Sequence, residues 1–346
     1  MDKYTPRNIL VTGGAGFIGS HFVRQLLQTA DNLFIVNLDA LTYAGSIKNI
    51  ADLISYPNHR FVKGNIIDRA IITEIFMHHS IDTVVHFAAE SHVDRSINEP
   101  GQFIQTNIVG TFTLLDVARE VWRQRYALDP TQCRFHHIST DEVFGSLDKL
   151  EAPFTETSHY EPNSPYSASK ASSDLLVRAY TKTYNLPCTL SNCSNNFGPY
   201  QHDEKFIPTT ISACLNQFPI PVYGDGSNIR DWLYVEEHCQ AILQILHHGK
   251  VGDTYNIGGN YEISNIDLAK LICTIMDTIY PTLNPHAELI TFVKDRAGHD
   301  WRYAISIDKI QNELGWSPSA DFQANLLKTI QWYLQLARAE TSTVSI

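Results

Sequence analysis

A tyrosine and a lysine on one predicted helix are the first pair in this sequence that could do chemistry. Tyr166 and Lys170 stand in the segment Tyr-Ser-Ala-Ser-Lys, whose spacing puts both side chains on one helical face. A free phenol titrates at pH ~10, and a neighbouring ammonium lowers that pKa because it stabilises the phenolate. The pair is therefore a candidate base that takes a hydroxyl proton while hydride leaves the same carbon.

Two adjacent carboxylates form a second candidate group. Asp141 and Glu142 follow a strand-like segment in the run Ser-Thr-Asp-Glu-Val-Phe-Gly. Oxidation of an alcohol needs only the phenol and the lysine, so the carboxylates indicate a further task, in which one removes a carbon-bound proton and the other protonates a leaving hydroxyl. A hydroxyl beside them, Ser139 or Thr140, could hold the substrate hydroxyl near Tyr166. The dipeptide alone leaves open an ordinary N-capping pair.

A glycine-rich segment near the N-terminus predicts a phosphate-binding turn between a strand and a helix. In Thr-Gly-Gly-Ala-Gly-Phe-Ile-Gly, Gly13 allows a tight turn, Gly16 lets the backbone approach a pyrophosphate, and Gly19 allows close packing of the helix. A second strand-like segment ends at Asp39, whose carboxylate could accept hydrogen bonds from ribose hydroxyls. Because that carboxylate would repel a 2′-phosphate, the segment favours NAD over NADP as the cofactor.

The order of predicted elements would bring these groups together. Strand-like runs alternate with helical stretches through the first half of the chain, and this order predicts right-handed crossovers and an α/β fold with a Rossmann-type doubly wound parallel sheet. Ligands of such sheets bind at the C-terminal strand ends, where all three motifs fall. The predicted strands are Asn8–Thr12, Leu33–Leu38, Arg60–Lys63, Thr83–Phe87, Phe135–Ser139 and Cys188–Ser191.

The chain changes character after about residue 196. Turn signals separate shorter elements there, which predicts a smaller C-terminal α/β lobe over residues 197–336 that mainly binds the substrate, beside a cofactor domain over residues 1–196 that also carries the catalytic residues. The tail, residues 337–346, lacks periodicity and is expected to fray. The helices predicted in the lobe are Ile207–Asn216, Glu236–His248, Asn265–Thr278 and Ala324–Leu336.

Composition narrows the class of partner. The 346 residues contain 26 Lys plus Arg and 37 Asp plus Glu, for a formal charge of −11, and no basic run. This argues against nucleic acid or an anionic membrane as a partner. The six cysteines show no metal-ligand spacing, so we expect no metal site and buried free thiols in a reducing compartment. With no signal-peptide core and no apolar run near the about 20 residues that span a bilayer, a cytoplasmic protein is expected.

Taken together, the motifs resemble the extended short-chain dehydrogenases that act on nucleotide sugars, and among them the dTDP-glucose 4,6-dehydratases. The similarity covers roughly residues 8–335, and the Asp-Glu pair together with Val-Asp-Arg-Ser-Ile separates this family from the related epimerases. Four further stretches agree with the family: Ala88–Ile97, Asn192–Gln201, Asn228–Val235 and Asp295–Asp300.

The resemblance implies an NAD-dependent hydro-lyase that converts dTDP-glucose to dTDP-4-keto-6-deoxyglucose and water. The reaction would oxidise C4, eliminate water across C5 and C6, and return hydride to C6, as in the biosynthesis of deoxysugars. By family pattern Tyr166, with Lys170, serves the C4 oxidation, and Thr140 touches the sugar. Asp141 protonates the departing C6 hydroxyl, and Glu142 removes the C5 proton. A homodimer formed through helices that include the one with Tyr166 is also implied.

The resemblance also implies two sets of binding residues. The positions matching the NAD site are Gly13, Gly16, Phe17, Ile18, Gly19, Asp39, Ala40, Leu41, Thr42, Asn65, Ile66, Phe87, Ala88, Ala89, Thr106, Tyr166, Lys170 and Asn196. The positions matching the nucleotide-sugar site are Ser91, Thr140, Asn195, Lys205, Phe206, Pro221, Val222, Tyr223, Arg230, Asn265, Arg296, His299 and Tyr303. This sequence departs from the family at Asn65, usually acidic, at Asp203, often proline, and at Ser306, often aspartate; none removes a catalytic group.

Three alternatives stay open at this point. A UDP-glucose 4,6-dehydratase would use the same catalytic groups, and no residue in the sequence decides between thymidine and uridine nucleotides. A nucleotide-sugar 4-epimerase would need no acid/base pair beyond Tyr166. A catalytically idle NAD-binding regulator would need none of the catalytic residues.

Overall fold

The structure, a computed structural model, describes residues 4–29 and 32–343. The strands are β1 (Asn8–Thr12), β2 (Phe34–Asp39), β3 (His59–Lys63), β4 (Thr83–His86), β5 (Arg134–Thr140), β6 (Cys188–Cys193), β7 (Asn195–Phe197), β8 (Ile220–Tyr223), β9 (Ile229–Tyr234), β10 (Thr254–Ile257), β11 (Glu262–Ser264) and β12 (Ile290–Val293). The α-helices are α1 (Phe17–Thr29), α2 (Arg69–His78), α3 (Val93–Asn98), α4 (Pro100–Phe103), α5 (Thr111–Tyr126), α6 (Pro165–Tyr184), α7 (Phe206–Asn216), α8 (Val235–His248), α9 (Asn265–Ile279), α10 (Asp308–Leu314) and α11 (Phe322–Thr343).

The main sheet has seven parallel strands in the order β10-β6-β5-β4-β1-β2-β3. Strands β4, β5 and β6 are buried along their whole length, as expected for strands covered by helices on both faces. One apolar core lies on each side of the sheet. The predicted Rossmann-type doubly wound sheet is confirmed.

One strand of this sheet comes from the second half of the chain. After β6 the chain enters the smaller lobe, then returns through α8 and adds β10 beside β6. The sequence pattern does not reveal this strand because its four residues, Thr-Tyr-Asn-Ile, form no continuous apolar run. One of its polar side chains is held by the loop before α6, since the Asn256 amide donates to the Phe154 carbonyl at 3.2 Å.

The smaller lobe contains a mixed sheet of β11, β9 and β7 and a parallel pair of β12 and β8. Helices α7, α9 and α11 pack on these strands around a separate apolar core. All four predicted lobe helices are present within α7, α8, α9 and α11. The lobe therefore has its own interior and stands beside the C-terminal ends of the main sheet.

The last helix is longer than predicted. It runs to Thr343, so the predicted end at Leu336 is wrong, because Leu, Ala, Arg and Glu sustain a helix by propensity without apolar periodicity. The rest of the predicted tail, residues 344–346, lies outside the described residues, and fraying stays a prediction. Among the residues described here, no helix is both long enough and apolar enough to cross a membrane.

Candidate active site

A cleft of about 300 Å³ follows the C-terminal ends of the main sheet. Its lining includes Gly13 after β1, Asp39 at the end of β2, Phe87 after β4 and Thr140 at the end of β5. The smaller lobe adds Lys205 from the residue before α7. The topology thus brings the glycine turn, the carboxylates and the tyrosine to one edge, as the sequence predicts.

The glycine turn leaves no room for side chains. Gly13 has a φ of 74°, and a Cβ added there would lie 2.6 Å from the backbone nitrogen of Ala88. A Cβ on Gly19 would lie 2.3 Å from the carbonyl oxygen of Gly13. Because both positions require glycine, the backbone can come close to a bound pyrophosphate at the N-terminus of α1.

The Asp39 side chain is hydrogen-bonded to the backbone of this turn. Its carboxylate accepts hydrogen bonds from the N–H groups of Ala15 at 2.9 Å and Leu41 at 2.8 Å, while burial raises its pKa. Each oxygen keeps a lone pair for a ribose hydroxyl. All positions matched to an NAD site line the cleft except Leu41, whose apolar side chain packs against the core instead. The close-packed turn and this carboxylate fit a dinucleotide without a 2′-phosphate.

Tyr166 and Lys170 lie in the first two turns of α6. The helix begins with a capping box at Ser164, so the position of its first turn is fixed. Both side chains are buried, and the Lys170 ammonium donates to the Ile138 carbonyl at 2.7 Å. The Phe103 ring meets the Tyr166 ring edge-on at 6.3 Å between centroids. The pair therefore shares one rigid helical face beside the cleft.

The chain's own groups do not produce the expected low pKa of the phenol. Burial raises the pKa of Tyr166 well above its usual value, and the nearby charge of Glu142 raises it further. Burial also lowers the pKa of Lys170, which weakens its help to the phenolate. A phenolate therefore needs the positive charge that an oxidised nicotinamide ring would add.

The carboxylate pair lies on a 3-10 turn, Asp141–Phe144, directly after β5. Thr140 caps this turn by accepting the Glu142 N–H at 3.3 Å, so neither carboxylate serves as the cap. The Thr140 hydroxyl also lies beside the Tyr166 phenol. The Ser139 hydroxyl instead donates to a buried carboxylate at 2.7 Å. Both residues line the cleft, but only the Thr140 hydroxyl lies beside the Tyr166 phenol.

The two carboxylates have different environments. Burial, and then the charge of Glu142, raise the pKa of Asp141 well above its usual value, so its surroundings favour the protonated form. Burial also raises the pKa of Glu142, but the cations of Lys205 and Arg230 oppose that rise. Such a pair supplies one acid and one base.

Four predicted substrate residues line the cleft, namely Ser91, Thr140, Asn195 and Lys205. The Lys205 ammonium donates to the Ser91 carbonyl at 3.2 Å and joins the smaller lobe to the loop after β4. The predicted residues outside the lining are Phe206, Pro221, Val222, Tyr223, Arg230, Asn265, Arg296, His299 and Tyr303. Val222 is fully buried in the lobe core, so its side chain is not available to a ligand.

Two of the outlying arginines are engaged by the protein itself. Arg230 donates to the Asp300 carbonyl at 2.9 Å, and Arg296 makes two hydrogen bonds to the Asp94 carboxylate at 2.6 and 2.8 Å. Both cations still lower the pKa of Glu142 against the effect of burial, so they lie within electrostatic reach of the carboxylate pair. A diphosphate in the cleft would compete with Asp94 for Arg296.

Some lining residues were not predicted. Glu204 and His202 come from the loop before α7, and their closeness in sequence to Lys205 is the signal that could identify them. The described residues contain no group of three or more His, Cys, Asp or Glu side chains that could hold a metal ion.

A dinucleotide cleft with its phenol one helical turn from a lysine defines the extended short-chain dehydrogenase class. The model of the family described as GDP-mannose 4,6 dehydratase matches residues 10–329. The dTDP-glucose 4,6-dehydratase of Neisseria gonorrhoeae is 52% identical over 339 residues, which are 96% of this chain and 97% of that protein. This chain belongs to the dTDP-glucose 4,6-dehydratase family.

Solved structures agree with the assignment of this chain to that family. The dTDP-glucose 4,6-dehydratase from Streptomyces venezuelae, solved with NAD bound, superposes with a TM-score of 0.86 at 43% identity, covering 95% of this chain and 97% of that one. The UDP-glucose 4-epimerase of Thermotoga maritima reaches a TM-score of 0.82 at only 27% identity, covering 95% and 99%. The fold is thus common to dehydratases and epimerases, while the sequence is closer to the dehydratase.

Replacing Gly13 by alanine should weaken NAD binding by about tenfold or more, because a strained, non-glycine backbone costs about 1–3 kcal/mol. The added Cβ must also move Ala88 away from the pyrophosphate turn. Calorimetric titration of the purified chain with NAD measures the change. Gly101→Ala is the control, since its Cβ would meet no atom within 4 Å. An unchanged affinity in Gly13→Ala would contradict the assignment of the turn.

Proposed function

We propose that this chain converts dTDP-glucose to dTDP-4-keto-6-deoxyglucose and water, using tightly held NAD. The observation that supports this most directly is the pair of carboxylates, Asp141 buried and Glu142 partly exposed, that lie in different environments beside Tyr166. Simple oxidation or epimerisation at C4 does not require that pair, whereas elimination of water does. The chemistry that bound NAD supplies is the uptake of hydride from C4 and its return to C6.

The chain's own residues move three protons. Tyr166 takes the proton of the C4 hydroxyl as that carbon is oxidised, with Lys170 and Thr140 beside it. The resulting ketone acidifies the C5 proton, which Glu142 removes and gives back to C5 once C6 has received hydride. Asp141, whose burial favours its protonated form, gives its proton to the departing C6 hydroxyl. Two steps thus use one acid and one base, in agreement with their different pKa values.

In this proposal the two parts of the chain bind different ligands. Residues 1–196 hold NAD and the catalytic groups, and residues 197–336 mainly hold the nucleotide sugar. Lys205, Arg230 and Arg296 are the cations assigned to the diphosphate, because an acidic protein must place its cations where its anionic substrate binds. All lie close enough to Glu142 to affect its pKa.

We also propose that the protein is a homodimer in the cytoplasm. Large apolar side chains are exposed on α5, α6 and the π-helical segment Ile104–Gly110 that packs on them: Ile104 is 50%, Phe112 42% and Leu175 57% exposed. A second copy covering this face would remove that surface from water. All six cysteines are buried free thiols, which suits a reducing compartment.

Leu175→Glu should therefore convert dimers to monomers, because a charge would have to be buried in the interface. Sedimentation velocity of the purified protein measures the change. Leu283→Glu is the control, since Leu283 is fully exposed in a loop of the smaller lobe. A wild-type chain that sediments as a monomer, or a Leu175→Glu variant that stays dimeric, would contradict this interface.

The substrate is tested by incubating the chain separately with dTDP-glucose, UDP-glucose and GDP-mannose and weighing the products by mass spectrometry. We expect dTDP-glucose alone to lose the mass of one water. Loss of water from UDP-glucose instead would change the assigned nucleotide. An unchanged mass with all three sugars would contradict a dehydratase.

A further inference from the structure

A buried carboxylate behind the catalytic pair has no part in the mechanism above. Asp174 follows Tyr166 and Lys170 on α6 with the same spacing of four residues, so the three side chains share one helical face. The side chain of Asp174 is fully buried. An ionisable group in such a position needs partners, because burying an unpaired charge is costly.

The partners of Asp174 come from β5 and from the loop before α6. It accepts hydrogen bonds from the Ser139 hydroxyl of β5 at 2.7 Å and from the Tyr160 phenol at 2.9 Å. The His137 Nε2 atom lies 3.2 Å from its other oxygen. Arg178, one turn further along α6, donates to the Tyr160 oxygen at 2.9 Å. The carboxylate is therefore built into a network rather than left over in the core.

Two neighbours of Asp174, Ser139 and Lys170, connect it to the residues that carry the proposed chemistry. Ser139 precedes Thr140 and Asp141, so its bond to Asp174 fixes the strand end that carries them. Lys170 is buried, and the charge of Asp174 is the strongest of those that favour its ammonium form against burial. Lys170 in turn is the strongest influence that favours the carboxylate form of Asp174. Each ion thus sustains the charge of the other.

We propose that Asp174 is a positioning residue that keeps Lys170 in its ammonium form and fixes the end of β5 beside Tyr166. This inference rests on the proposed function, because it assigns Lys170 to the oxidation at C4. Asp174 itself touches neither the cleft nor the reacting atoms, since it is absent from the cleft lining.

The surrounding titratable groups set the pH range in which this holds. Burial raises the pKa of Asp174 to about 6, whereas Lys170, Ser139, Tyr160 and Arg178 favour the ionised form. The pKa of His137 is held well below its usual value by burial and by Lys170, so this imidazole is neutral. Lys170 also faces Cys193 of β6 and influences His86 of β4, whose pKa burial lowers as well. At neutral pH Asp174 is therefore mostly ionised, and its charge favours the ammonium form of Lys170.

Loss of the carboxylate should act on activity and stability in opposite directions. The folded-state pKa of Asp174 lies above that of the unfolded chain, so its contribution to stability is fully present at low pH and is lost as the pH rises through about 6. Asparagine resembles the protonated, uncharged form of Asp174, so the variant should keep the stability that the wild type loses as the pH rises. The same change removes the charge that supports the Lys170 ammonium, so Lys170 loses its proton at a lower pH.

The test compares Asp174→Asn with the wild type as full-length proteins loaded with NAD. At about pH 8 we expect kcat on dTDP-glucose to fall by about tenfold, with KM within about twofold, and the alkaline limb of the kcat profile to move to lower pH. The melting temperature at the same pH should equal or exceed that of the wild type. In a Lys170→Met background, adding Asp174→Asn should cause no further loss.

Asp82→Asn is the matched control, because Asp82 is also buried with a raised pKa but precedes β4 at the far end of the sheet. Its kcat profile should match the wild type. Any of four results for Asp174→Asn would overturn the inference. They are an unchanged pH profile of kcat, an equal loss of kcat at every pH, a melting temperature below that of the wild type, and failure to fold. Turnover by the wild type tests the proposed function separately. If the wild type shows no turnover, the melting temperatures of the wild type and Asp174→Asn still decide whether Asp174 only stabilises the fold.

Discussion

Glu142→Gln should lower the rate of product formation by about a thousandfold while leaving oxidation at C4 intact. Glutamine has nearly the same shape as glutamate but cannot accept the C5 proton, so the reaction should stop after its first half. The absorbance of reduced nicotinamide should then build up in the variant when dTDP-glucose is added. Stopped-flow absorbance, together with mass analysis of the product, measures both effects.

Glu161→Gln serves as the control, since Glu161 is exposed in the loop before α6. Its turnover should equal that of the wild type. The result also separates the proposed function from its nearest rival, because a 4-epimerase needs no second base and would keep its activity without Glu142. Wild-type turnover in Glu142→Gln would therefore exclude the dehydratase mechanism.

Tyr166→Phe should also lose about a thousandfold in kcat, but at an earlier step. Phenylalanine keeps the ring packed against Phe103 and removes only the oxygen that takes the C4 hydroxyl proton. No reduced nicotinamide should appear, in contrast to Glu142→Gln. The affinity for NAD should stay within about threefold, because the fold and the glycine turn are unaffected. Calorimetry and stopped-flow absorbance measure the two quantities.

Tyr184→Phe is the corresponding control, as Tyr184 is 43% exposed at the other end of the same helix. It should behave as the wild type. If Tyr166→Phe forms reduced nicotinamide at the wild-type rate, another group must take the hydroxyl proton. A wild-type chain that turns over no sugar nucleotide, and whose binding properties do not change in Tyr166→Phe, would instead support a non-catalytic role.

Much of the fold could be predicted because its signals are local. Each of the six strands predicted in the first half of the chain appears in the structure near its predicted place. The glycine turn and the Tyr166–Lys170 spacing depend only on backbone geometry over a few residues. Strand β10 could not be predicted, since its place beside β6 depends on the chain returning through α8 rather than on its own four residues.

The site was harder to predict where it depends on long-range contacts. The resemblance assigns Arg296 to the nucleotide-sugar site, but in the structure it is paired with Asp94, about 200 residues away. Leu41 falls in the matching motif, yet its side chain packs on the core. The opposed environments of Asp141 and Glu142 arise from burial and from Lys205 and Arg230, which come from the smaller lobe. Their pKa values therefore depend on folding as well as on the closeness of the two carboxylates in the dipeptide.

The transfer of hydride within one sugar is the most direct test of the proposed mechanism. dTDP-glucose carrying deuterium at C4 is incubated with the NAD-loaded wild-type chain, and the product is analysed by mass spectrometry and NMR. We predict a product that has lost one water and carries the deuterium at C6. Deuterium that remains at C4 in a sugar of unchanged mass, or is lost from the product, would contradict the internal redox cycle.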